Sequence, residues 1–174
     1  MRKVVVVAPD PGWRKGFEAE AVRLSSVFEE HLVEMHHIGS TAVPDLAAKP
    51  VIDILPVVKD VNLVDALNGA LAGLGYTARG EFGLPGRRYF TRDENGARTH
   101  NVHVYGSGDP EIERHLAFRD YMAAHPAEAR AYGRLKEELA RRFPTDLEAY
   151  MDGKDAFVRE RERRALSWKR GAGR

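Results

Sequence analysis

At Asp109 and Pro110 the sequence changes character. Before this point short β-branched or aromatic runs alternate with segments of helical periodicity; beyond it, apolar residues recur at helical spacing almost to the end. Such a chain builds a sheet interleaved with helices and then adds a helical flank, an α+β architecture. Strands are predicted at Lys3–Ala8, Val33–Ile38, Val51–Val58, Tyr76–Arg79, Tyr89–Arg92 and Thr99–Tyr105, the last two a hairpin around Asp93, Glu94, Asn95 and Gly96. Helices are predicted over Trp13–Leu32, where Phe17, Ala21, Leu24, Phe28 and Leu32 form one stripe, and over Val61–Leu74, closed by Gly75. About three more follow Pro110, with Pro126 in a first turn and Pro144 before the last helix. No spacer or compositional shift divides the chain, so residues 1–174 read as a single domain with a sheet of about five strands.

Composition narrows the chemistry. The 174 residues include no cysteine and are 43% hydrophobic, with 27 Lys plus Arg against 26 Asp plus Glu. That excludes a disordered chain, disulfides, thiolate nucleophiles and iron–sulfur clusters, and leaves His or carboxylate to hold any metal. The longest apolar run, Val4–Ala8, is too short to span a bilayer, and no leader pattern precedes it, so a cytoplasmic chain without a membrane segment is expected. Eight basic and three acidic residues between Lys154 and Arg174 make the tail positive. The signs alternate from Arg159 to Arg163, as on a solvated helix face, and aromatic residues are sparse, which argues against nucleic acid as the partner.

Three groups of residues could carry chemistry. Asp53 lies in the otherwise apolar strand Val51–Val58, where alternation sets Val51, Asp53 and Leu55 on one face and Ile52 and Ile54 on the other. A carboxylate there needs a cation or donors, supplied either by a ligand site or by amides of the preceding loop. Gly39 and Ser40 end the strand before it, where exposed amides and a hydroxyl can hold phosphate oxygens. His100, Asn101 and His103 share a strand, but odd spacing sends the two histidines to opposite faces, so one serves structure; Thr99, Asn101, His103 and Tyr105 make an unusually polar face. The loop Gly80–Arg88 is rich in glycine and ends in Arg87 and Arg88, one of which can reach an anion while the other pairs with surface acids. Lys49 could present its ammonium to a phosphate, and Arg119 and Asp120 could buttress a site or pair on the surface. No Walker loop, dinucleotide fingerprint, nucleophile elbow or zinc-protease helix is present.

The order of these motifs resembles the GrpB (UPF0157) family. The resemblance rests on His37-Ile38-Gly39-Ser40-Thr41-Ala42-Val43-Pro44, Ala47-Ala48-Lys49-Pro50-Val51-Ile52-Asp53-Ile54, Gly86-Arg87-Arg88, Thr99-His100 with His103-Val104, and Phe118-Arg119-Asp120-Tyr121, running from about Pro9 to Trp168. The same domain occurs behind some bacterial dephospho-CoA kinases; lacking a kinase P-loop, this chain is expected to be the stand-alone form. The resemblance implies a nucleotidyltransferase-like mixed, twisted sheet in which a Gly-Ser turn positions a triphosphate and acidic residues on later strands hold divalent metals. It implies transfer of a nucleotidyl or phosphoryl group from a nucleotide, or another phosphorylated small molecule, to a small acceptor. Asp53 and His103 would be catalytic and hold Mg²⁺ or Mn²⁺, and Gly39, Ser40, Thr41, Lys49, Glu81, Arg87, Arg88 and Asn101 would contact the substrate. The sequence departs from the pattern at Leu55, where a second acid is expected, and at Asn101 and His103, where a third is expected. Either Glu81 or another acid enters from the Gly-rich loop, or Asp53 and His103 bind one softer metal, or the chemistry is lost and the domain only binds a ligand.

Overall fold

The strand-forming segments pair into one mixed sheet. In the computed structural model, which describes residues 2–172, the strands are β1 (Leu32–Ile38), β2 (Ile52–Val58), β3 (Thr77–Ala78), β4 (Arg88–Glu94) and β5 (Ala97–Gly106), ordered β1-β2-β5-β4-β3. β2 and β5 run parallel and the other neighbours antiparallel. The α+β reading and the five-stranded sheet therefore hold. The chain divides into two compact units that interleave in sequence, a sheet unit of Gly12–Ile38 and Val51–Ile112 and a helical unit of Met1–Pro11, Gly39–Pro50 and Glu113–Arg174.

In the sheet unit, helix α1 (Gly12–Phe28) and the short α2 (Asn68–Gly73) cover one sheet face. Ile52 and Ile54 of β2, Val102 and Val104 of β5 and Phe90 of β4 meet Leu24, Phe28, Val64 and Leu71 there. Leu24, Phe28, Ile54 and Val102 are wholly buried, and each such side chain contributes about 1.5–3 kcal/mol. α1 stops at Phe28, short of the predicted Leu32, and a single 3₁₀ turn (Glu29–His31) leads into β1. Its buried stripe runs through Trp13, Leu24 and Phe28 but takes in Glu20 rather than Ala21.

The predicted helix over Val61–Leu74 is a 3₁₀ helix over Val61–Leu67 followed by α2. Val61, Val64 and Leu67 recur every third residue, which lines up on a helix of three residues per turn. Asp60 caps it, its carboxylate accepting from the Asn62 amide at 2.9 Å. Gly75 closes α2 with φ +93°, as its position predicted.

The helical unit holds α3 (Pro110–Ala124), which begins in the last residues of the sheet unit, α4 (Pro126–Arg142) and α5 (Leu147–Ala172). Val43, Leu46, Met122, Ala129 and Tyr132 form one core cluster, and Val4, Leu139 and Tyr150 another. Here the predicted first strand fails. Lys3–Ala8 makes only an isolated bridge, Val7 with Ala48, while the Val4 amide donates to the Pro144 carbonyl at 2.9 Å. Four valines confer β-propensity, but a strand also needs a partner strand, and these amides find a loop and a helix end instead. Among the described residues no helix is long and apolar enough to cross a membrane.

Candidate functional site

Two sets of polar side chains come together, one in each unit. In the sheet unit the site is built by register. Asp53 of β2 lies beside Asn101 of β5, and across the hairpin His103 faces Tyr89 and Asn101 faces Thr91. All five side chains therefore share the sheet face opposite α1. The pairing depends on a bulge: from the Asn95–Gly96 turn Asp93 pairs with Arg98, but Arg92 pairs with His100. That extra residue moves Tyr89 and Thr91 onto the face of Asn101 and His103; without it they would pair with the opposite set.

Asp53 is three-quarters buried and its Oδ1 accepts twice, from Asn101 Nδ2 at 3.1 Å and from His103 Nε2 at 3.1 Å. Asn101 Oδ1 in turn accepts from the Tyr89 hydroxyl at 2.9 Å and from Arg98 at 3.1 Å. Arg87 is buried. Its guanidinium lies 4.7 Å from the centre of the Tyr89 ring and 3.5 Å from His103 Nδ1. A guanidinium N–H can only donate, which makes Nδ1 the acceptor and leaves the ring proton on Nε2, donated to Asp53. Burial, and after it the charge of Asp53, raises the Tyr89 phenol above its ordinary pKa, against the pull of Arg98, Arg87 and Arg79. Three guanidinium groups thus act on the neighbourhood of one carboxylate, a field that suits an anionic ligand.

The remaining predicted residues have these partners. Arg88 turns away and pairs with Asp65 at 2.8 Å. Glu81 is exposed and its carboxylate accepts from the Gly86 amide of its own loop, so the acid expected from that loop caps the loop instead of joining Asp53. His100 falls on the α1 face with Tyr76 and serves structure there. In the helical unit Gly39 takes φ +72°, a conformation that favours glycine, and opens a 3₁₀ turn over Ser40–Ala42. Ser40 Oγ accepts from Lys136 Nζ at 2.7 Å, Thr41 is buried beside it in sequence, and the Lys49 ammonium sits 5.4 Å over the Tyr150 ring. Arg119 and Lys169 both bond Asp120; although burial raises its pKa, those bonds hold it below the ordinary carboxylate value.

Lys136 escaped the sequence reading. It is 2% exposed, with its ammonium 4.3 Å over the Tyr132 ring. The signal was a charged residue in register with Ala129, Tyr132 and Leu139 on the buried stripe of α4. Tyr89 and Arg98 were missed as well, because the bulge that places Tyr89 leaves no mark in residue type.

A resident metal centre does not fit these residues. Among the described residues no three His, Asp or Glu side chains gather to hold an ion. Asp53 is the one acid in its cluster, and both nitrogens of His103 are engaged, one by Asp53 and the other by a cationic guanidinium. A magnesium ion arriving with a nucleotide needs only one or two protein carboxylates, since phosphates and water complete its shell.

Comparison with known proteins follows the same lines. The family profile described as GrpB protein matches residues 3–164. The UPF0157 protein YqkA of Bacillus subtilis is 44% identical over 170 residues, covering 98% of this chain and 49% of that protein. The chain therefore spans about half the length of that relative. The crystal structure of GrpB from Enterococcus faecalis superposes with a TM-score of 0.91 at 44% identity, covering 95% of this chain and 99% of that one. A dephospho-CoA kinase of Mycolicibacterium paratuberculosis is 30% identical over 190 residues, covering 95% of this chain and 46% of that protein.

Proposed function

The chain belongs to the GrpB family, and we propose on that footing that it binds a nucleotide on the polar sheet face around Asp53 and transfers a nucleotidyl or phosphoryl group to a small acceptor. The observation that carries this reading is the Asp53–His103 contact of 3.1 Å on a face ringed by Arg79, Arg87 and Arg98. Support also comes from the resemblance of the Gly39-Ser40 and Asp53 motifs to nucleotidyltransferases.

In this reading Asp53 is the general base. His103 donates to Asp53 Oδ1 and, with Asn101, fixes the carboxylate so that an oxygen faces the acceptor hydroxyl. The acceptor oxygen forms its bond to phosphorus, its proton passes to Asp53, and the bond to the leaving phosphate breaks. The neighbouring guanidinium groups stabilise the charge that builds on phosphate oxygens. Mg²⁺ or Mn²⁺ belongs to the incoming nucleotide as part of the substrate.

A second reading, binding without turnover, is favoured by one observation. Leu55, two residues after Asp53 where a second acid is expected, is wholly buried and supplies no ligand. Calorimetric titration of nucleoside triphosphates with Mg²⁺ or Mn²⁺, paired with an assay for released phosphate or pyrophosphate across candidate acceptors, separates the two. Binding with turnover that Asp53→Asn lowers at least about 100-fold is the expected result. Binding without turnover leaves the second reading, and no binding under either metal overturns both.

A further inference from the structure

The loop that precedes β4 contains a feature the chemistry at Asp53 does not use. Phe82 is 65% exposed, the one aromatic ring among the exposed large hydrophobic side chains of the described residues, and it holds φ +48°, the left-handed region that bulky residues avoid. Nevertheless the loop is tied down. Buried Arg87 donates to the Phe82 carbonyl at 2.9 Å and to the Glu81 carbonyl at 3.2 Å. The Tyr89 amide donates to the Gly80 carbonyl at 2.8 Å, and the Glu81 carboxylate accepts from Gly86. An exposed ring on a floppy loop would be unremarkable; one held in place at a backbone cost has a fixed contact to make.

Its position indicates the contact. The Phe82 ring lies 5.3 Å from the Tyr89 ring, and Tyr89 lies 5.1 Å from His103, whose Nε2 bonds Asp53. The rings form a ladder of two steps, from solvent at Phe82 to the carboxylate at Asp53, with the Arg87 guanidinium against its middle rung. One end offers an open aromatic face and the other a cationic, acid-base environment. A ligand that matches both ends has a planar ring system at one end and phosphates at the other.

We propose that Phe82 is the stacking platform for the nucleobase of the nucleotide bound at Asp53. This rests on the function proposed above and adds to it the part of the ligand that the sheet face does not recognise. A π-face accepts any base, so the platform secures affinity for nucleotides over bare phosphate chains while discriminating little among bases.

Calorimetric titration of ATP, UTP and inorganic tripolyphosphate, each with Mg²⁺, into the native chain, Phe82→Ala and Phe82→Trp tests it. Phe82→Ala is expected to weaken ATP and UTP by about tenfold or more, the usual cost of losing a base stack, and to leave tripolyphosphate unchanged. Phe82→Trp is expected to restore nucleotide affinity. Equal binding of ATP by the native chain and Phe82→Ala overturns the platform while the proposed function stands. So does a parallel loss of all three ligands, which would mark a collapsed loop. A native chain that binds none of the three overturns the proposed function and this inference together.

Discussion

His100 and His103 lie three residues apart on β5, and each stands beside a carboxylate, a tyrosine and an arginine, yet the two clusters are differently made. On the α1 face Glu20 is 5% exposed and saturated: Arg23 at 2.9 Å, Arg92 at 3.1 Å and the Tyr76 hydroxyl at 2.8 Å all bond it. Arg92 also pairs with Glu94, and Arg23 reaches the Leu74 carbonyl at 3.3 Å. On the opposite face the bonds to Asp53 include one from an amide and one from an imidazole, while the buried guanidinium of Arg87 holds the carbonyls of the Gly-rich loop. Charge neutralised by charge makes a brace. A carboxylate oriented by an amide and an imidazole on a face that also carries cationic side chains is set to meet a ligand, so the same residue types build a structural tie on one face and a candidate site on the other.

The brace should break first. Glu20→Ala leaves Arg92 with Glu94 alone and takes the acceptor from the Tyr76 hydroxyl, and the expected loss is about 1.5–3 kcal/mol, read from urea unfolding midpoints. The exposure of Arg23, at 40%, makes its share of that loss small. A loss below about 1 kcal/mol would mean that α1 is held by its apolar stripe alone, and the contrast between the two faces would fail.

Asp53→Asn comes next and separates the clusters from the other direction. The substitution keeps shape and one acceptor, so stability should fall by no more than about 1–1.5 kcal/mol, the net worth of an ordinary hydrogen bond. Over the same variant turnover should fall at least about 100-fold, as for loss of a general base. A variant that unfolds as readily as Glu20→Ala would make Asp53 a second brace.

Much of this was legible in the sequence. The strand Val51–Val58 with its single acid, the opposite facing of His100 and His103, and the hairpin turn at Asn95–Gly96 follow from alternation and turn chemistry, which are local. What was hidden depended on partners. Glu20 sits on the buried stripe of α1 because Arg92 and Tyr76 from distant segments join Arg23 of the same helix in bonding it, and α1 alone gives no sign of the two distant partners. The valines near the start look like a strand but pair through one bridge only. The membership of Tyr89 in the site hangs on one bulged residue between Arg98 and His100, which a pattern of period two cannot show. Local rules thus fixed which residues belong to which strand, and long-range pairing fixed which of them meet.

The smallest effect is a pH dependence read at the brace. Burial lowers the pKa of His100 below its ordinary 6.5, with Arg92 and Arg23 acting in the same sense and Glu20 and Glu94 against. Between the native and unfolded pKa values the unfolded chain carries a proton on this residue that the native chain does not, so stability must decline as pH falls below about 6.5. Glu20 acts lower down. Burial raises its pKa, but the bonds from Tyr76 and Arg23 outweigh that and hold it under 4.5, so its contribution is complete above that pH and is lost as pH falls through the native value. Acid unfolding should accordingly show an upper limb set by His100 and a lower limb to which Glu20 and Asp120 both contribute. Urea midpoints taken from pH 7 downward for the native chain and His100→Gln test this: the substitution should flatten the upper limb and leave the lower one. An unchanged upper limb would assign it to other groups and reduce His100 to a packing residue beside Tyr76.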